Sequence, residues 1–500
     1  MGIIASQAVW NTFFTYLGLG LGFLNMVVLY PRVLASDEFG LTRLLVSVSM
    51  LTAQVAQLGA ENTVVRYFPY FRDERTGHRG LLGMLLLFGG VASTVAALVL
   101  IVLQVPLSFA FHDGNALYAR FGLWVLPLVC SEIYFILLRS YSRSLLRSVQ
   151  PTVIKEFQLR MLQCLLILVQ LGWPMPFAWF VALYVGTFLV CTATLVVDLR
   201  RAGHWRTAWA QRRLPERLRR SMAWYSGFTL SGTVAGMVLG NLDQLMIGAL
   251  LKDGLRYVAY YAVGFAFGSV IAAPARALAQ TAAPLLADAW KRGDRTLIQS
   301  VYRRSATVQS VVSGVLYVML IAGVDELFAL LPIEYRSALP VALVVGAAYL
   351  ITSSIGLSGS IISMSKAYHM DAWTSVIVLA INAVLGFFLI RSMGFVGAAW
   401  ATLVSLLVVN VYRTWFLFSR FALWPFDVRI LGLGIAIPLL GAGVRVLDLT
   451  DRPIIDLCLR AFLSGTVFLL FAKGLGLLGE LEATLAVLHS RGRKGKDQQA

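Results

Sequence analysis

The chain has 500 residues, of which 58% are hydrophobic and only 13% charged, and its mean hydropathy is +0.76. A soluble chain carries roughly twice that charged fraction, so the composition excludes a water-soluble enzyme. The net charge of +17 does not indicate a nucleic-acid partner, because Lys and Arg fall in short clusters between apolar runs. Those runs predict membrane-spanning helices, since a backbone in lipid must satisfy its polar groups within the segment. The short alternating strands of a β-barrel are not seen.

In chain order the runs predict about fourteen spans: 10–30, 41–62, 80–104, 119–139, 158–173, 176–197, 224–250, 257–283, 305–324, 338–363, 372–391, 394–418, 429–447 and 453–475. The stretch Met1-Gly2-Ile3-Ile4-Ala5-Ser6 fits a myristoylation pattern formally. The run after it is too long for a signal peptide and lacks the basic flank, so it is read as the first span. Span five ends at Trp173-Pro174-Met175-Pro176, a tight turn, because a residue before proline avoids the helical region. Cys130, Cys164, Cys191 and Cys458 lie in or beside apolar runs without metal or redox spacing and are read as small core residues.

With the N-terminus inside, every second loop faces the cytoplasm, and these loops hold 31 of the 42 basic residues. Nine more lie at outer loops and helix ends: Arg32, Arg43, Arg120, Lys252, Arg256, Arg336, Arg391, Arg445 and Arg452. Two, Arg276 and Arg460, lie within spans. This asymmetry is the positive-inside pattern and places both termini in the cytoplasm. Between spans six and seven, Trp205, Trp209, Leu214, Leu218 and Met222 recur at near-helical spacing among eight arginines. That spacing predicts a basic amphipathic helix on the anionic leaflet; the plainer alternative is a basic loop. The tail from 476 to 500, with Arg491-Gly492-Arg493-Lys494-Gly495-Lys496, is read as basic and cytoplasmic.

The chain repeats with an offset of roughly 215–220 residues. Phe39-Gly40-Leu41 opens span two and Tyr257-Val258-Ala259 opens span eight; Pro69 and Pro284 close them; Arg147 corresponds to Lys366. Six spans separate the copies, so both have the same orientation. The domain plan is therefore an N-terminal lobe (1–198), a linker helix (199–223), a C-terminal lobe (224–420), two added spans (429–475) and the tail. Parallel halves suggest alternating-access transport. No HExxH, nucleotide-binding or Ser/His/Asp motif is found, so neither catalysis nor a cofactor is expected.

Ionisable residues inside spans must face a partner or a wet cavity. Arg276 lies between Pro274 and Pro284, which are expected to bend span eight. It suits an anionic headgroup, or pairs with Asp243 of span seven. Asp243 alternatively carries a coupling proton or sodium. Glu132 is expected to pair with Arg120 or Arg139. Asn11, Asn25, Gln54 and Gln57 line a cavity or join helices. Arg32 and Arg43, near Asp37 and Glu38 at the outer face, form a salt-bridged gate or a pyrophosphate-release site. Arg460 is placed to snorkel and is given no role.

Leu34-Ala35-Ser36-Asp37-Glu38-Phe39-Gly40, Asp243 with Gln244-Leu245-Met246-Ile247-Gly248, and Pro284 to Lys291 resemble the signatures of bacterial polysaccharide (Wzx-type) flippases. Those belong to the multidrug/oligosaccharidyl-lipid/polysaccharide exporter superfamily. The resemblance spans nearly the whole chain through loose, hydrophobic motifs. It implies a V-shaped pair of lobes around a central cavity, in the bacterial inner membrane. The implied activity is movement of undecaprenyl-diphosphate-linked oligosaccharide, with membrane lipids and the polysaccharide polymerase machinery as partners and the protein a monomer. In the lipid II branch of that superfamily, arginines on helices one, two and eight engage pyrophosphate. Arg276 matches on span eight; Arg32 and Arg43 lie nearer the outer helix ends. A cation-coupled small-molecule exporter is the competing reading, and Arg276 weighs against it.

Overall fold

The computed structural model describes residues 2–73, 78–110, 116–205, 215–447 and 449–479. Among the described residues the chain is all helix and turn, with a helix at every predicted span. These are α1 (2–33), α2 (Ser36–Phe71), α3 (Leu81–Ala110), α4 (116–144), α5 (149–172), α6 (Phe177–Arg201) and α7 (Glu216–Leu250). The second series is α8 (254–292), α9 (Arg295–Ala329), α10 (Ile333–Ser354), α11 (Tyr368–Met393), α12 (Val396–Phe421), α13 (Val428–Arg445) and α14 (Pro453–Gly474). A short helix, Ser358–Met364, links α10 to α11. Among the described residues, twelve are long and apolar enough to cross a membrane by length and composition alone; α5, which carries Lys155, Glu156 and Arg160, is not one of them.

The distribution of side chains is that of a protein dissolved in lipid. Large apolar residues such as Val102, Trp173, Leu439 and Phe462 are exposed. Ser47, Ser140, Asn382, Ser405 and Ser464 are fully enclosed. In water such an apolar surface would aggregate; in a bilayer it is the solvated face, and the polar groups turn inward to find hydrogen bonds. The chain is a multi-pass membrane protein.

The helix boundaries repeat. α1 ends at Val33 and α7 at Leu250; α2 begins at Ser36 and α8 at Gly254; α6 begins at Phe177 and α12 at Val396. The two series run in step to α6 and α12, and α13 and α14 follow outside the repeat. Contacts divide the chain into two units. One is Met1–Ala262 with Phe387–Phe395, and the other is Val263–Gly386 with Val396–Ala500.

In the first unit α2 packs between α4 and α7, and α4 also meets α3 and α6. Gly40 lets the start of α2 approach the start of α8: a β-carbon there would overlap the Leu255 carbonyl. Gly18 does the same for α1 against the Glu156 carbonyl of α5. Both helices are π-helical beside this contact, over Leu24–Leu29 and Val153–Gln158. α2 breaks at Leu58 and Gly59, both with positive φ (49° and 75°). The Gln57 side-chain carbonyl accepts the Glu61 amide (2.8 Å) and restarts the helix. The Trp173–Pro176 turn is closed by Gln170, which donates to the Met175 carbonyl (3.1 Å) and accepts its amide (3.2 Å).

In the second unit α9 is central, against α10, α13 and α14. α8 is interrupted by a 3-10 turn at Val270–Ala272, immediately before Pro274, and then runs as continuous α-helix over Ala273–Arg292, through Pro284. Pro274, in the first turn after the break, needs no amide partner. Asp294 caps α9, accepting the Leu297 amide (2.9 Å) and the Thr296 hydroxyl (2.7 Å). Those bonds, the Leu297 amide first, hold its carboxyl below the usual range.

Part of the expected linker helix lies outside the described residues, namely 206–214 with Trp209 and Leu214, as do Arg75 and the tail from 480 onward. Arg217, Leu218 and Met222 belong to the opening turns of α7.

Candidate functional site

The first unit gathers its polar groups along a seam between α2 and α7. From one end to the other, the Tyr67 hydroxyl meets the Ser221 hydroxyl (2.8 Å), and the Arg66 guanidinium lies over the Tyr225 ring (4.1 Å). Farther along, the Ser47 hydroxyl donates to the Gln244 side-chain carbonyl (2.9 Å), with both groups buried. Beside Gln244, the Tyr261 hydroxyl of α8 donates to the buried Asp243 carboxylate. As α2 numbers fall, α7 numbers rise, so the helices run antiparallel. Asp243 thus has a partner within its own unit that charge patterning could not reveal, because a tyrosine carries no charge to match against it.

Arg43 occupies a different face of α2. It is half-buried near Tyr30 of α1 and Tyr184 of α6, whose hydroxyls hydrogen-bond to each other and feel its charge. Tyr30 is fixed by parallel stacking on Phe39, with centroids 5.0 Å apart. Arg43 makes no hydrogen bond or ion pair with any described residue, and its Nε is enclosed without an acceptor. A charge in this condition has donors left for an anion. Glu38, its expected gate partner, instead turns back to accept the Ala35 amide (3.2 Å) and caps α2. Arg32 is exposed at the end of α1.

The remaining first-unit residues are mostly occupied with the helices themselves. Asn25, buried inside the π-helical turn of α1, donates to the Arg160 carbonyl of α5 (2.8 Å). Asn11 donates to the Ser148 hydroxyl (3.1 Å). Gln57 serves the α2 break described above, and Gln54 is buried in the turn before it. Glu132 pairs with Lys155 rather than with Arg120 or Arg139. Lys155 sits 5.2 and 5.5 Å from the Phe135 and Phe188 ring centres, an apolar cage that leaves the carboxylate as its counter-charge. Arg139 is taken by Glu61 (2.7 Å), which Arg143 also approaches at 3.4 Å.

In the second unit, Arg276 follows the break in α8. Its side chain is exposed, and one Nη reaches the Ser269 carbonyl across the 3-10 turn at 3.4 Å. That is a long bond, and Arg276 forms no ion pair with a described residue. Arg460 is the opposite case. Expected to snorkel, it is buried on α14 between Asp456 (2.7 Å) and Glu326 of α9 (3.1 Å), and it donates to the Arg445 carbonyl (2.8 Å). The signal was present as the Asp456/Arg460 pair at four-residue spacing, but its third member lies on a distant helix. Likewise Arg413 of α12 is held by Asp371 of α11 (2.7 Å).

No family model and no curated protein matches the chain in sequence. Its three-dimensional likeness to solved structures is extensive. A lipid II flippase, MurJ, in its inward closed conformation superposes with a TM-score of 0.72 at 12% identity, covering 93% of this chain and 99% of that one. An inward-facing multidrug resistance MATE transporter of the MOP superfamily gives 0.59 at 12% identity, over 84% and 95%. A Vibrio cholerae MATE transporter, VcmN, in its bent form gives 0.51 at 14% identity, over 88% and 99%. The fold is that of the MOP-type transporters. At these identities the likeness establishes the fold alone. These neighbours are flippases and transporters, not enzymes, and their fold organises the polar groups described above.

Proposed function

We propose that this protein is a flippase that moves an undecaprenyl-diphosphate-linked oligosaccharide across the bacterial inner membrane by alternating access. The observation that supports this most is the pair of uncommitted arginines. Arg43 has an enclosed donor with no acceptor, and Arg276 holds only one long bond to a carbonyl. Charge within an apolar helix is costly, so arginines left without carboxylates there suit a cargo that brings its own anion, such as a diphosphate. The likeness in fold to a lipid II flippase favours the same class of cargo. In this reading residues 1–198 and 224–420 are the two lobes, 199–223 the basic linker and 429–475 an added helix pair, with both termini cytoplasmic. Arg43 of the first unit and Arg276 of the second would each be able to engage a diphosphate, and Arg32 would serve its release. Asn25, Gln54 and Gln57 would stiffen the wall behind them.

The second reading is a cation-coupled exporter of smaller molecules, supported by the buried Asp243–Tyr261 pair, an acidic group able to exchange a proton or sodium. Transport in proteoliposomes separates the two. Arg276→Ala and Arg43→Ala should each lower flipping of a fluorescent lipid-diphosphate oligosaccharide at least tenfold, with Lys restoring part of it. Unchanged flipping in folded protein would remove the diphosphate role, and export of cationic drugs that survives both changes would favour the second reading.

A further inference from the structure

Where α9 ends and α14 begins, the second unit holds a pocket of about 340 Å³, lined in part by Asp325, Glu326, Arg336, Asp451, Asp456 and Arg460. The charged groups facing it divide into layers. Arg336, in the opening turn of α10, and Asp451, before α14, are exposed at the rim. Asp325 of α9 is neutralised by Arg445 of α13 through two bonds of 2.6 and 3.0 Å. The floor consists of Glu326, Asp456 and Arg460, two carboxylates against one guanidinium.

The two carboxylates are not equivalent. One Asp456 oxygen accepts the Thr450 amide (3.2 Å) and the other faces the Arg460 Nε (2.7 Å). Glu326 has Oε1 at 3.1 Å from an Arg460 Nη, while Oε2 is enclosed and accepts no hydrogen bond. Glu326 also lies in the last turn of α9, where the helix dipole presents its negative end. The floor therefore carries one negative charge in excess and one carboxylate oxygen lacking a donor. A single proton on Oε2 removes the excess charge. A metal cation would not do so, because the guanidinium already occupies the space between the carboxylates. Among the described residues no group of three or more His, Cys, Asp or Glu is placed to hold a metal.

We propose that Glu326 is a proton-binding site that loads and unloads through this pocket. With the proton off, Arg460 bridges Glu326 and Asp456 and ties α9 to α14. With the proton on, Glu326 no longer draws Arg460, which keeps Asp456 within α14, and the tie between the helices loosens. This role of Glu326 does not depend on which cargo the protein carries.

Difference infrared spectroscopy on the full chain in nanodiscs, stepped over roughly pH 5 to 8, reads the protonated carboxyl directly. Wild type should show a carboxylic-acid stretch that responds to the step and shifts in heavy water. Glu326→Gln should abolish the band, and Asp325→Asn should keep it. A band that survives in Glu326→Gln, or disappears only in Asp325→Asn, would overturn the assignment. Should Glu326→Gln not fold, Glu326→Asp serves, since the band should then move, and an unmoved band counts against the site. Added sodium at fixed pH should leave the wild-type band in place; its loss would show a metal-cation site instead.

Discussion

Arg276 and Arg460 both lie inside apolar helices of the second unit, and their surroundings differ at every step. Arg460 is 4% exposed and set between two carboxylates and a carbonyl, and its bonds to Glu326 and to the Arg445 carbonyl join α14 to α9 and α13. Arg276 is exposed beside a helix break and reaches a single carbonyl. The same residue type thus serves two ends. A buried arginine matched by acids holds helices together, whereas one left unmatched is available to a ligand. Sequence position alone puts the two on an equal footing.

The contrast is sharpest in stability. Arg460→Ala should leave buried Asp456 beside half-buried Glu326 without a counter-charge and cost about 3–5 kcal/mol, visible as a large fall in thermal midpoint in detergent. A midpoint near wild type would mean the cluster is wetter than its geometry suggests. The uncharged Ser47–Gln244 contact of the first unit should respond less. Ser47→Ala removes the donor to buried Gln244 and should cost about 1–3 kcal/mol, measured the same way. Arg276→Ala should change stability by no more than about 0.5 kcal/mol even where transport is lost; a large destabilisation would class it with Arg460. The smallest effect belongs to an exposed carboxylate, Asp294. Its folded pKa is lowered, so the stability it contributes is present above its unfolded pKa and lost as pH falls through the folded value. Asp294→Asn should flatten the acid limb of a melting-temperature profile slightly without moving the neutral plateau.

How much was legible follows from the range of each signal. Helix positions were readable because hydropathy is a local sum, and helix ends at Val33 and Leu250 or Phe177 and Val396 keep the repeat in register. The break in α8 was legible as Pro274. The break in α2 was not, because it rests on Gly59 in the left-handed region and on a Gln57 cap, residues that fit an ordinary helix equally well. Glu132 shows the limit for charges. Its nearest candidates along the chain were arginines, but Lys155 reaches it by crossing from α5 to α4, while Glu61 occupies Arg139.

The sequence by itself therefore determined that the chain lives in lipid and where the long helices fall among the described residues, since both depend on composition and spacing along one strand. Which charges are neutralised was decided only by the tertiary structure. Ion pairs depend on distances of a few ångströms between helices far apart in the chain, and a small shift in helix rotation exchanges one partner for another. Arg460 was set aside on sequence grounds and proved to be the centre of a buried cluster. Arg43 was grouped with an acidic gate and proved to face two tyrosines with a donor still open.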